Sequence, residues 1–304
     1  MVIRKKETEL ALAMVNKNSR ILLQNQLDLI DKEELKPHIY MVLTRPRSII
    51  VRDSFNIDGE FFSGIIEVQY PERTERFNFR EKHQFGTGNI RIETNYPFNS
   101  FKLIDNENDE TVFDCMVSWF LHDISKIKDV LPLKVAYVGQ SYGDYGERKV
   151  DKRLVSHKTL QEIYSDIINA EPDKEVQLYV SEFSCELVGT HIKDSIPSSV
   201  TCFQYDADDS IDHRLVINLV EASLIRYFQP EYNEKFKYNF PSKEHVSYRE
   251  AYELDFNMIR VEVGSPFEPF CLLFSQSVKA QWHHICEYHF HNLDERKCMF
   301  DFSE

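Results

Sequence analysis

The alternation of hydrophobic and polar positions predicts a strand-rich first third of the chain. Between His38 and Ile104, short runs rich in β-branched and aromatic residues are separated by Pro, Gly and Asn: HIYMVL, SIIVRDSF, FFSGIIEVQY, RFNFRE, NIRIET and SFKLID. Such runs are typical of strands joined by turns. Residues 1–36 lack this alternation, and we predict helical or mixed structure there. The polar stretch DNENDE at 105–110 predicts a loop at the end of this region.

The middle of the chain changes to a pattern of helices and strands. A helix is predicted within 112–130 and is followed by the apolar strand LKVAYVG. Two further helices, near 147–169 and 212–228, each end before a proline and are separated by the strand VQLYVSEF. Later runs, YELDFNMIRVEV and FCLLF, again have the pattern of strands.

These patterns predict an α+β protein with three parts. We expect a β-rich N-terminal domain at 1–110, a central domain at 111–243 and a strand-rich C-terminal extension at 244–304. The length of 304 residues is sufficient for about two domains with extensions.

The helix predicted near 147–169 has two ionisable residues on its apolar face. At about 100° per residue, Arg153 and His157 fall on the stripe formed by Leu160, Ile163 and Ile167. An unpaired cation on such a face is costly, so both residues need partners. Either they are satisfied inside the core, with Arg153 paired to a carboxylate, or they bind an anion.

The helix predicted near 212–228 has a carboxylate in the same kind of position. Glu221 falls between Ile217 and Leu224, in the middle of the apolar stripe. A desolvated carboxylate requires a cation, a metal ion or a proton. An ion pair with Arg153 or Arg214 and a role as a metal ligand are both open.

In their order along the chain, these residues resemble the GIY-YIG nuclease family. The matching pieces are the strand motif Tyr137-Val138-Gly139, then Arg153 and His157 four residues apart, Glu221 in EASLI, and Asn233 in PEYN. The joint occurrence of several weak motifs in the right order is more specific than any one of them. The resemblance covers about residues 113–240 and implies a small sheet flanked by helices.

The first motif of the family is not recognisable at its usual place. The family carries GIY on a strand one short hairpin before the YIG strand, but the residues here are SKIKDVLPLK, without Gly or Tyr. The motif His38-Ile39-Tyr40 lies far upstream, among the predicted N-terminal strands. Tyr142 or Tyr145, in the long segment after Gly139, are other candidates for the missing ring.

The resemblance implies a role for each matching residue. Tyr137 is the expected general base, Arg153 grips the scissile phosphate, and His157 orients the tyrosine or the attacking water. Glu221 is expected to hold a single Mg²⁺ or Mn²⁺ ion. Asn233 is expected to order the phosphate or the end of the helix.

The implied function is that of a divalent-metal-dependent endonuclease that hydrolyses phosphodiester bonds. DNA is favoured over RNA as the substrate, and by analogy the setting is a restriction or defence system. The alternative is a catalytically inactive subunit that keeps the fold for binding or as a scaffold in a larger complex.

Charge limits how nucleic acid would bind. The net charge of -14 repels a polyanion on average, so binding needs a local basic patch, a protein partner or a second copy of the chain. Residues 132–160 carry six basic and three acidic residues, a local charge of +3. Scattered cysteines without a CxxC pair, and the lack of a bilayer-length apolar segment, predict a cytoplasmic protein that does not enter a membrane.

The C-terminal run WHHICEYHFH, with Cys298 beyond it, contains residue types that bind zinc. Its spacing fits no standard pair-and-pair site, and the alternation of a strand would divide its side chains between two faces. A structural zinc site and a histidine-rich surface are the two interpretations, and the spacing favours the surface.

Overall fold

The computed structural model describes residues 8–32, 35–82, 89–125, 131–141, 158–192, 200–206, 211–238, 240, 256–265 and 271–289. These residues belong to two compact units. The core unit comprises Met1–Leu43, Lys134–Glu162 and Gln177–Glu304, and the inserted unit comprises Thr44–Leu133 and Ile163–Val176. Both helices and strands are present and sheet predominates, which confirms the α+β class.

The strands of the described residues, in chain order, are β1 Thr8–Leu22, β2 Ile39–Pro46, β3 Ser48–Ile50, β4 Asn56–Asp58, β5 Phe61–Tyr70, β6 Arg73–Lys82, β7 Ile90–Glu93, β8 Ser100–Asp105, β9 Thr111–Met116, β10 Leu133–Gln140, β11 Lys174–Ile192, β12 Val200–Asp206, β13 Met258–Gly264, β14 Leu273–Phe274 and β15 His283–His289. The helices are α1 Asp28–Lys32, α2 Val117–Ser125, α3 Lys158–Ala170 and α4 His213–Phe228. In the described residues, no helix has the length and apolar content needed to cross a bilayer.

The largest sheet has the strand order β14-β10-β2-β11-β1-β13-β15, and β12 pairs with β11. Its longest ladder joins β1 and β11 in antiparallel register, from Thr8 opposite His191 to Leu22 opposite Leu178. On its other side β1 is parallel to β13, which is antiparallel to β15. Several neighbours in this sheet, among them β2 with β10 and β1 with β13, are therefore distant in sequence.

The strand β1 was not predicted for residues 1–36, although β1 followed by the short helix α1 agrees with the mixed structure expected there. Ala11, Leu12, Ala13 and Met14 are all buried, so both faces of the strand are covered. A strand buried on both faces has a continuous apolar run instead of alternation. Its Ala, Leu and Met content favours a helix locally, and pairing on both edges overrides that propensity.

The two ends of the strand order in the core sheet lie close together. At one end of the strand order β14 pairs with β10, and Leu273 of β14 also pairs with Gln281, just before β15 at the other end. The ring of His284 in β15 also bonds the Leu273 carbonyl through Nε2, at 3.0 Å. Residues 215–220 and 222–225 of α4 are buried, which is typical of a helix covered on almost every side.

The inserted unit has two small sheets, with orders β3-β5-β4 and β7-β8-β9, and β6 pairs with β5. The hairpin of β5 and β6 runs from Phe61 opposite Lys82 to Tyr70 opposite Arg73. The interior of the inserted unit is a cluster of aromatic rings whose centroids lie 5.0 to 6.4 Å apart. The rings are those of Phe55, Phe62, Phe79, Phe101 and Phe120.

This division differs from the three domains expected at 1–110, 111–243 and 244–304. β1 and β2 lie in the same sheet as β10, β13 and β15, although the sequence analysis assigned them to separate domains. The β-rich segment from Thr44 to Leu133 is inserted between β2 and β10. Local patterns identify strands but not their partners, so an insertion of this kind resembles a separate N-terminal domain.

Candidate active site

Two tyrosines that are distant in sequence lie side by side in the core sheet. The strands β2 and β10 are neighbours, and the Ser141 N–H donates to the His38 carbonyl at 2.8 Å. The rings of Tyr40 and Tyr137 have centroids 6.0 Å apart and are tilted by 33°. His38-Ile39-Tyr40, the upstream candidate for the first family motif, therefore lies beside the motif that contains Tyr137.

Gly139 leaves the space that the two rings occupy. A Cβ atom at this position would lie 2.6 Å from Cζ and the hydroxyl oxygen of Tyr40 and 2.7 Å from Cε1 of Tyr137. These separations are well inside van der Waals contact, so any other residue would displace the rings. Tyr40 is fully buried and Tyr137 is half-buried, so the surface of this pair that solvent reaches belongs to Tyr137.

Asn233 binds the backbone of β10 at Val138 through both ends of its side-chain amide. Its Nδ2 donates to the Val138 carbonyl at 2.9 Å, and its Oδ1 accepts from the Val138 N–H at 2.9 Å. The Tyr232 N–H donates to the Ala136 carbonyl at 3.1 Å, and Lys134 Nζ pairs with Glu231 at 2.8 Å. Asn233 is itself buried. Both ends of its amide therefore bind the strand that carries Tyr137, and the expected role of Asn233 in ordering the phosphate or the end of the helix stays a prediction.

The helix α4 confirms the one predicted near 212–228, and its sequence explains both ends. Asp212 caps the first turn, where its side chain accepts from the Arg214 N–H at 2.9 Å. At the other end Gln229 adopts the left-handed conformation, with φ of 48°, just before Pro230. This end resembles the left-handed caps that stop many helices.

Glu221 is the one ionisable residue of α4 between Arg214 and Arg226. Ile217 and Leu224 are buried, as the helical spacing predicted, while Glu221 is half-buried and Arg214 is exposed. The carboxylate is thus on a mostly apolar helix but keeps access to solvent. Full desolvation, which the sequence pattern suggested, does not occur.

The donor set at Glu221 fits Mg²⁺ or Mn²⁺ and does not fit a closed metal cage. In the part of the chain that the structure describes, no three His, Cys, Asp or Glu side chains come together as a metal-binding group. Mg²⁺ is usually held by one or two carboxylates and keeps several waters. A single half-buried carboxylate on a rigid helix meets that requirement.

Arg153 and His157 lie outside the described residues, as do Tyr142 and Tyr145. The helix α3 begins at Lys158, immediately after His157, and it confirms the later part of the helix predicted near 147–169. Its inward stripe is formed by Leu160, Ile163 and Ile167, which are buried. Its polar residues Lys158, Glu162 and Asp166 are exposed.

Sequence reasoning missed two histidines at this end of the sheet. His38 Nε2 and His213 Nε2 are 3.2 Å apart, and the rings meet edge to face with centroids 4.4 Å apart. Burial, with a smaller contribution from His213, lowers the pKa of His38 to about 4. His38 precedes Tyr40 by two residues, but nothing in the local sequence indicates that the first residue of α4 will meet it.

Residues 283–289 of the histidine-rich C-terminal run form β15, whose side chains are divided between two faces as the alternation predicted, whereas His291 and Cys298 lie outside the described residues. His284 and Cys286 are buried, whereas His283 and His289 are more exposed. Both ring nitrogens of His284 have protein partners, since Nδ1 lies 3.2 Å from the Tyr227 hydroxyl and Nε2 lies 3.0 Å from the Leu273 carbonyl. Burial raises the pKa of the Cys286 thiol, which opposes formation of the thiolate that zinc binds.

Comparisons of the chain with protein-family models, with curated proteins and with solved structures found no match. The chemistry of this site must therefore be argued from its own residues. These residues offer a pair of tyrosines next to Gly139 and an asparagine that binds the strand of Tyr137. They also offer the carboxylate of Glu221, on a helix that is mostly buried.

Proposed function

We propose that the core unit is a divalent-metal-dependent endonuclease that resembles the GIY-YIG family and hydrolyses phosphodiester bonds, preferentially in DNA. The observation that carries this proposal is the contact between Tyr40 and Tyr137 on neighbouring strands. The resemblance required a second tyrosine on the strand beside β10, and the residues just before β10 contain none. Tyr40 on β2, which precedes the inserted unit in sequence, is the residue that we assign to this place.

The two tyrosines support different tasks. Tyr137 is half-buried and can reach a water molecule, so it is the candidate general base. A phenol has a reference pKa of about 10, so a nearby cation is needed for it to accept a proton near neutrality. Tyr40 is fully buried, and its ring fixes the orientation of Tyr137 across Gly139.

Glu221 would hold the metal ion, and it has the properties that this role requires. It is the one carboxylate on the buried stretch of α4 and remains partly open to solvent. A bound Mg²⁺ or Mn²⁺ would neutralise charge on the phosphate oxygens and acidify a water molecule. The roles of Arg153 on the phosphate and of His157 in proton transfer rest on the sequence resemblance alone.

Charge supports weak, salt-sensitive binding of nucleic acid by the isolated chain. The net charge of -14 is opposed locally by a charge of +3 over residues 132–160. A few phosphate contacts give an affinity that falls steeply as salt rises. A protein partner or a second copy of the chain would supply the remaining binding energy.

The test is incubation of the full chain with plasmid DNA, single-stranded DNA and RNA, in Mg²⁺, Mn²⁺ or EDTA. We expect cleavage of DNA with either metal and none with EDTA. Tyr137→Phe should lower the rate by about 10² to 10⁴-fold, the usual contribution of a general base. Tyr238→Phe, which alters an exposed tyrosine of the same unit, should leave the rate unchanged.

Two results would overturn this proposal. Equal rates for Tyr137→Phe and the wild type would remove the tyrosine from the reaction. Binding of DNA without any cleavage, in every metal, would instead favour the alternative of an inactive binding or scaffold subunit.

A further inference from the structure

His38 and His213 bring two imidazole nitrogens close together just before the start of β2. Their Nε2 atoms are 3.2 Å apart. Two nitrogens that bind one zinc ion at about 2.0 to 2.1 Å, at a tetrahedral angle, lie about 3.3 Å from each other. The observed separation therefore matches that of two ligands on one metal ion.

The backbone of His38 is held by hydrogen bonds on both sides. The His38 N–H donates to the Ser181 carbonyl at 3.0 Å, and the His38 carbonyl accepts from Ser141 at 2.8 Å. Pro37, the preceding residue, accepts a 2.8 Å bond from the Ser141 hydroxyl. These bonds tie the backbone of His38 to the strands on both sides.

His213 is held at the start of a helix. It is the first residue of α4, whose first turn is capped by the side chain of Asp212. Ligands on a strand and on a capped helix are positioned before a metal arrives, which reduces the ordering cost of binding.

We propose that His38 and His213 form a two-histidine binding site for a divalent transition metal such as Zn²⁺. Imidazole suits zinc, copper, iron and nickel, whereas Mg²⁺ prefers oxygen ligands, so this site differs in metal preference from the one proposed at Glu221. In the described residues no third His, Cys, Asp or Glu joins the pair as a ligand group. The remaining positions on the ion are open to water or to a bound solute, as in catalytic zinc sites.

This site does not depend on the nuclease proposal. It requires only the two rings and their backbone supports, and its test needs no nucleic acid. Failure of either proposal can therefore be recognised separately.

The experiment measures binding of Zn²⁺ and Co²⁺ to the EDTA-treated full chain by calorimetry and by the visible absorption of bound Co²⁺. Loss of a residue that only hydrogen-bonds to a metal ligand lowers metal affinity by about 10- to 100-fold. His213→Asn removes a ligand itself, so it should weaken binding at this site by at least as much. His289→Asn is the matched control, because His289 is half-exposed on β15 and should leave this binding unchanged.

His38→Asn should weaken binding as much as His213→Asn does. Since His38 is largely buried, circular dichroism must first show that this variant is folded, and if it is not, His213→Asn alone decides. Undetectable Zn²⁺ binding at up to tenfold molar excess, or equal affinity in the wild type and His213→Asn, would overturn the proposal and leave an ordinary hydrogen bond between two histidines.

Discussion

The inserted unit and the core unit use their interiors differently. The inserted unit is filled with phenylalanine rings, and packing explains each of them. The interior of the core unit contains Tyr40 and Asn233 among its apolar residues, and His38 is half-buried. Residues that make a core harder to pack tend to mark functional sites, so the core unit is the place to look for chemistry.

A buried charge alone does not mark a site, as the inserted unit shows. Arg45 and Glu175 are both buried and pair at 2.7 Å, and Arg45 also donates to the Ser118 hydroxyl. This arrangement satisfies its own charges and needs no ligand. The tyrosines over Gly139 differ, because their approach depends on a glycine and leaves Tyr137 open to solvent.

The largest effect should come from breaking the aromatic interior of the inserted unit. Phe101 is buried, with ring centroids of Phe55, Phe62 and Phe120 between 5.0 and 5.5 Å away. Phe101→Ala should lower the free energy of unfolding by about 3 to 5 kcal/mol, because it leaves a cavity. Denaturant unfolding followed by Trp119 fluorescence, in a Trp282→Phe background, measures the inserted unit separately.

Phe61→Ala is the control for this prediction, since Phe61 is exposed and stacks under Arg80 on the outside of the hairpin. It should cost less than about 1 kcal/mol. Similar losses for the two variants would mean that the aromatic cluster does not form the interior of this unit.

A smaller loss of stability is expected from replacing Asn233, which is buried in the core unit and binds the strand that carries Tyr137. Asn233→Ala leaves the N–H and carbonyl of buried Val138 without their partner and should cost about 1 to 3 kcal/mol. Unfolding followed by Trp282, in a Trp119→Phe background, measures this loss. Asn169→Ala, at an exposed position on α3, should change stability by less than about 0.5 kcal/mol. An Asn233→Ala protein as stable as the wild type would contradict the role of Asn233 in holding β10.

The smallest change in metal-free stability is expected at Glu221. Glu221 keeps access to solvent and Gln has nearly the same shape, so Glu221→Gln should shift the unfolding free energy by less than about 1 kcal/mol without metal. The wild type should gain about 2.7 kcal/mol when Mn²⁺ is present at 100 times its Kd, and Glu221→Gln should gain nothing.

Glu234→Gln, which alters an exposed carboxylate just beyond α4, should retain the gain from Mn²⁺. A loss of about 3 kcal/mol in Glu221→Gln with or without metal would identify half of a structural ion pair. That result would contradict the assignment of Glu221 as a metal ligand.

The sequence predicted the elements of the core unit better than their arrangement. The strand LKVAYVG is β10, and the helix expected near 212–228 is α4, because both have strong periodicity and clear ends. The pairing of β2 with β10 could not be predicted, since the inserted unit separates them and local pattern has no information on partners at that distance. Tyr40 was therefore only one of several candidates for the missing ring.

The same limit explains the other differences. β1 has helix-forming residues and is a strand because β11 and β13 pair with it. His213 is an ordinary first residue of a helix until the fold brings it to His38. The functional hypotheses for Tyr137, Glu221 and Asn233 came from motifs in sequence, whereas the position of each relative to a partner came from long-range contacts.

The most direct test of the central claim compares two fully buried tyrosines of the same sheet, Tyr40 and Tyr179. Tyr179 lies on β11, and its hydroxyl donates to the Gly264 carbonyl at 2.9 Å. We predict that Tyr40→Leu, which removes the ring that orients Tyr137, lowers the rate of metal-dependent DNA cleavage per folded molecule by about 100-fold. Tyr179→Leu should lose stability through its cavity and keep the wild-type rate per folded molecule. Equal cleavage by the two variants would contradict the claim that Tyr40 and Tyr137 form one active site.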